Sequence, residues 1–105
     1  MVERTDAITT AKNFVNACIN KGISIKAAIL FGSYTKGMQN QFSDIDLALI
    51  SDEFTLNFIE NNHKTALINY QFADIEVHHF NTQYFERDLP FINEIKRSGI
   101  QIYKA

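Results

Sequence analysis

A chain of 105 residues has the length of one domain, and a formal net charge of −2 gives it no basic field with which to grip a polynucleotide backbone. With 46% hydrophobic and 21% charged residues it has the material for a core, and no apolar run approaches the roughly 18 residues of a membrane span. The expectation is one domain over residues 1–105, cytoplasmic, with no membrane role and with long nucleic acids disfavoured as substrates.

The opening residues, "MVERTDAITT", carry two acids and no hydrophobic signal region. From Ala7 the apolar positions run Ala7, Ile8, Ala11, Phe14, Val15, Cys18 and Ile19, the spacing of one buried helical stripe. Thr5 or Asp6 can cap its start, and Gly22 stands just past its end. Cys18, the one cysteine, can form no internal disulfide and reads as a buried spectator. Next comes "SIKAAILF" (24–31), short and apolar, a buried strand feeding a tight turn at Gly32. "SYTKG" (33–37) reads as a brief helical turn closed by Gly37. "DIDLALIS" (44–51) is a second strand, after which Phe54, Phe58, Ile59, Ala66, Leu67 and Tyr70 fall at helical spacing. "ADIEVHHF" (73–80) is a third strand with acids at Asp74 and Glu76. After "TQYFERD" a helix forms near Pro90, Phe91, Ile92 and Ile95, stops at Gly99, and gives way to a terminal strand "IQIY". Interleaved strands and helices predict an α/β domain: a small mixed β-sheet with helices packed on it and no linker.

The chemistry concentrates in "ILFGSYTKGMQNQFSDIDLALIS". A strand alternates its side chains, so Asp44 and Asp46 point to one face and Ile45, Leu47 and Leu49 to the other. Two carboxylates so close repel and lose hydration, a costly arrangement that a divalent cation relieves. Oxygen donors without cysteine or clear histidine spacing suit a hard ion such as Mg²⁺, which keeps some waters and takes further ligands from substrate phosphates; zinc is not expected. Gly32 lets the backbone turn sharply and approach a ligand. Ser33 stands at the start of the next helical turn, where free N–H groups favour an anion. Metal on one strand and phosphate grip on the preceding turn describe phosphoryl or nucleotidyl transfer. On the third strand Asp74 and Glu76 share a face, and either could complete a carboxylate triad. His78 shares that face and His79 points the opposite way, so His78 reads either as a site residue or as a structural hydrogen-bond partner. Tyr34 could stack on a base or pack under its turn.

Taken singly, Asp-x-Asp beside a turn is commonly a solvated strand end, and Gly-Ser is uninformative. Gly-Ser, ten residues and then Asp-x-Asp arise together by chance on the order of once in a thousand chains of this size. Gly32, Ser33, ten residues, Asp44, Ile45, Asp46 resembles the signature of the DNA polymerase β-type nucleotidyltransferase superfamily, and the short chain resembles its minimal nucleotidyltransferase branch. The resemblance implies a polymerase β-like fold and transfer of a nucleoside monophosphate from Mg²⁺-bound nucleoside triphosphate, AMP from ATP, to an acceptor hydroxyl. It implies Asp44 and Asp46 as catalytic metal ligands and Gly32 and Ser33 as the triphosphate grip, with Lys36 as a further phosphate contact. The third carboxylate of the family falls on the strand holding Asp74 and Glu76. Glu76 is favoured because "IEVHHF" resembles the "IEPHPF"-like segment of small bacterial members, although aspartate is the commoner residue there. Minimal members resemble the antitoxin half of a toxin–antitoxin pair that adds AMP to an all-helical HEPN-type toxin. That implies a helical partner protein and leaves a homo-oligomer open. The alternative is a non-catalytic antitoxin or nucleotide-binding module acting by contact.

Overall fold

The computed structural model describes residues 4–32 and 44–105. Its elements are α1 (Arg4–Asn20), β1 (Ala27–Phe31), β2 (Ile45–Ser51), α2 (Phe58–Tyr70), β3 (Ile75–Asn81), a 3-10 turn (Tyr84–Glu86), α3 (Pro90–Ser98) and β4 (Ile100–Lys104). The order matches the sequence reading, with ends moved by a few residues. The expected turn at 33–37, and with it Ser33, Tyr34 and Lys36, lies outside the described residues.

The sheet runs β3-β2-β1-β4. β1 is antiparallel to both β2 and β4, while β2 and β3 are parallel and joined through α2, as a parallel pair requires. Strand alternation splits the interior in two. Ala28, Leu30, Ile45, Leu47, Leu49 and Ile75 join α1 and α2 in one core. On the other face Ile29, Phe31, Ala48, Ile50 and Phe80 pack with Phe85, Ile92 and Ile95 of the 3-10 turn and α3. A sheet covered on both sides has apolar residues at consecutive positions of its central strands, hence the greasy runs "AAILF" and "LALI".

α1 buries the stripe its spacing predicts: Ala7, Ala11, Phe14, Val15 and Cys18 are sealed from solvent. It begins at Arg4, so Asp6 lies in the first turn, where its charge suits the helix dipole, and not at the cap. The end is a Schellman closure. Ile23 N–H donates to the Cys18 carbonyl and Gly22 N–H to that of Ile19, with Gly22 at φ +93°, a conformation costly for any residue with a Cβ. Burial pushes the Cys18 thiol up to about 11, which makes it unreactive.

α2 inverts the usual arrangement. Phe58, Ile59, Ala66, Leu67 and Tyr70, the residues whose spacing marks the helix, are all exposed, and the inward face carries Asn61, Thr65 and Ile68. Each inward polar group closes a specific bond. Asn61 accepts from Thr55 N–H (2.9 Å) and donates to the Thr55 carbonyl (2.7 Å), fixing the loop before the helix. Thr65 Oγ1 lies 2.9 Å from His79 Nε2, tying the helix to β3. Asn69 donates to the carbonyls of Phe72 and Ile75 at the turn into β3. Asn57 caps the start by accepting from Glu60 N–H.

Asn61→Ala should therefore cost about 1–3 kcal/mol in urea denaturation, because it strands the Thr55 peptide groups, whereas the apolar but exposed Leu67→Ala should change stability by less than about 0.5 kcal/mol. His79, edge-on to Phe54, has its pKa pushed down from 6.5 to about 4, first by burial and then by His78. A base depressed in the folded state adds stability above its unfolded pKa and loses it on acidification. The urea midpoint should fall as pH drops from about 6.5 to about 4, and the fall should be shallower in His79→Gln.

Candidate active site

The parallel register of β2 and β3 builds the site. Asp46 is paired with Glu76 and Ala48 with His78, so acid and acid, methyl and imidazole, stand side by side on the face covered by α3. Asp46, Glu76 and His78 each offer a ligand atom within 4.8 Å of the other two. His78 Nε2 lies 3.3 Å from Asp46 Oδ1. Its ring is held edge-on by Phe31 at 5.0 Å between centroids, with Phe91 of α3 at 6.0 Å.

On the other side of Asp46 is β1, where Phe31 is its cross-strand partner and Gly32 ends the strand at φ +82°. A Cβ at Gly32 would collide with Asp46 Oδ2 and come within 3.1 Å of its Cγ. Glycine is needed here twice over, for the backbone angle and for the close approach of chain to carboxylate.

Electrostatics mark the group as short of positive charge. Although Glu76 is exposed as a residue, its carboxyl is raised above the usual range, first by lost hydration and then by Asp46, through a hydrogen bond and through charge. Asp44 adds to the rise and His78 opposes it. A carboxyl whose affinity for protons is raised by a neighbouring carboxylate is relieved by a cation as well as by a proton. Two carboxylates, an imidazole and a third carboxylate nearby suit a divalent ion, the oxygens being the hard donors that Mg²⁺ takes.

Asp44 is exposed, stands just before β2, and does not join the tight group. It lines, with Glu76, His78, Phe58, Asn62 and Asn69, a cleft of about 560 Å³. Asp74 stays apart as well. It is an exposed turn residue whose carbonyl accepts from Ile45 N–H, so it sets the register that delivers Glu76 without entering the group. Between the two candidates for the third strand, the geometry brings Glu76 to Asp46. His78 also comes in, whereas His79 turns to α2, as alternation requires. Phe31 and Phe91, which wall the imidazole, carried no signal in the sequence beyond Phe31 adjoining Gly32.

The pattern of the polymerase beta nucleotidyltransferase family matches residues 13–105. No curated protein sequence matches the chain. Among solved structures the fold is similar to a Sulfolobus solfataricus protein taken to be a nucleotidyltransferase, at TM-score 0.73 and 13% identity over 96% of this chain and 83% of that one. It is also similar to a chain of a toxin–antitoxin complex with AMP-PNP, at TM-score 0.63 and 22% identity over 89% and 73%. A third similar chain belongs to the complex of a tri-AMPylated Shewanella oneidensis HEPN toxin with its MNT antitoxin, at 0.57 and 18% over 97% and 73%. With Gly32 set against Asp46, Asp46 against Glu76, and the family pattern spanning all but the first turns of α1, this chain belongs to the polymerase beta nucleotidyltransferase family.

Proposed function

We propose that the protein transfers AMP from Mg-ATP to a hydroxyl on a partner protein of the helical HEPN class. The observation that carries this reading is the pairing of Asp46 with Glu76 beside Gly32, at the mouth of a cleft that Asp44 also lines. Similar chains from complexes described by an ATP analogue and by an AMPylated HEPN toxin support the choice of donor and acceptor.

Asp44, Asp46 and Glu76 would hold Mg²⁺, which when bound neutralises the triphosphate and the charge that develops as the phosphoryl group moves. The acceptor oxygen forms a bond to the α-phosphorus, the bond to the β-phosphate bridging oxygen breaks, and pyrophosphate leaves. Glu76, paired across the strands with Asp46, is the carboxylate assigned to take the acceptor's hydroxyl proton. Asp46 holds Glu76 and His78 in place through its two neighbours. Gly32 brings the backbone against Asp46, and Ser33 and Lys36 are assigned the triphosphate grip. His78, between Asp46 and the aromatic wall, orients the carboxylate at the donor's entrance.

ATP with Mg²⁺ at about a hundred times its Kd should raise the melting temperature by on the order of 10 °C, and Asp44→Asn with Asp46→Asn should remove the rise. No shift with any of the four nucleotides would overturn the reading. A second reading, neutralisation of a partner by contact alone, draws on the exposed apolar side of α2, and it replaces transfer if that double variant protects cells from the partner as well as wild type does. For the third carboxylate, intact-mass detection of AMP on the partner should show Glu76→Gln at least about a hundredfold slower and Asp74→Asn within about threefold of wild type, in line with loss of a group acting at the reacting atoms.

A further inference from the structure

Six large hydrophobic side chains stand exposed among the described residues, and four of them, Phe58, Ile59, Leu67 and Tyr70, belong to α2; Leu56 sits two residues before it. These five are exposed by 73% to 87%, far beyond the scattered single apolar residues normal for a protein surface. The polar inward face of α2 explains how the helix stays anchored, through Asn61, Thr65 and Asn69, without using these side chains. It leaves unexplained why they are apolar.

We propose that the outward face of α2 is the surface on which the acceptor protein docks, and that the acceptor meets it with an amphipathic helix. The inference rests on the transfer reading and adds the place and shape of the contact. Three features choose this occupant. The first is extent: five such side chains at on the order of 150 Å² each approach the roughly 800 Å² that one partner contributes to a stable interface. The second is pattern. Phe58, Ala66 and Tyr70 lie on one row of positions four apart and Ile59 and Leu67 on the next, the ridges that seat in the grooves of another helix. The third is position. Phe58 lines the same cleft as Asp44, Glu76 and His78, so the apolar face, interrupted by Asn62 and His63, reaches the carboxylates at its Phe58 end, and a protein seated on it holds its own groups at the point of transfer. Glu60 and Lys64, of opposite charge and both exposed, border the stripe as a polar rim.

The test places a photo-crosslinking residue in the full chain inside its native cells, as Leu67→p-benzoylphenylalanine, with the same change at exposed Lys12 on α1 as the reference face. Expected is a cross-link at position 67, absent at 12, to a protein whose mass includes one or more AMP units, and the same protein without AMP when Asp44→Asn and Asp46→Asn are added. Capture of only a second copy of this chain, of a protein that never carries AMP, or of nothing at position 67 would overturn the docking surface. Leu67→Glu with Tyr70→Glu should then slow AMP transfer to that partner by at least about tenfold, as loss of two central apolar anchors does, while the ATP-induced melting shift stays intact; unchanged transfer would overturn the proposal. Failure of the two readings is distinguishable. No ATP shift in the unaltered chain removes the transfer reading itself, whereas an intact shift with no cross-link removes only the docking surface.

Discussion

Everything at the site depends on two carboxylates being forced together. Asp46 and Glu76 are neighbours because β2 and β3 run parallel in one register, and that register is fixed where Ile45 N–H meets the Asp74 carbonyl. A slip by one residue would turn Glu76 into the core beside α2 and bring Val77 to the carboxylate face. The buried alternation of Ile45, Leu47 and Leu49 against Ile75 opposes such a slip. The repulsion between the acids is small beside that packing, so the fold can hold them in an arrangement they would not choose in water and leave a place for a cation.

The same logic governs Gly32. A strand ending against the carboxylate of its neighbour has no room for a Cβ, and a turn at φ +82° excludes most other residues on conformational grounds. Backbone, carboxylate pair and imidazole thus form one packed unit, walled by Phe31 and Phe91. Stability and chemistry share atoms here: Phe31, a member of the sheet's second core, also sets the position of His78.

α2 shows the other use of the sheet. Joining parallel strands requires a crossover, and this one is fastened by amide and hydroxyl groups that each satisfy a particular backbone or imidazole partner. Directional bonds of this kind specify position with little apolar area, which frees the outward positions of the helix from any part in folding. A chain with nine phenylalanines has set some of its apolar material on a surface that borders its chemistry.

The sequence by itself determined the order and kind of the elements, the burial of α1, the glycine at the end of β1 and the acids of "DIDLALIS", because each is written in local spacing: a period of 3.6, a period of 2, or a turn residue between two apolar runs. It could not say which acid of "ADIEVHHF" meets Asp46, since that is a matter of register between strands thirty residues apart, and spacing along one strand is silent on it. Nor could it say that Phe58, Ile59, Leu67 and Tyr70 of α2 face outward while Ile68 faces in. Helical spacing identifies a stripe but not its direction, and the direction was decided by Asn61, Thr65 and Asn69 finding partners on β3 and the loops beside it. His78 was legible as a residue on the right face and no more. Only the tertiary structure, by pairing β2 with β3 and setting Phe31 against the ring, made it part of the site.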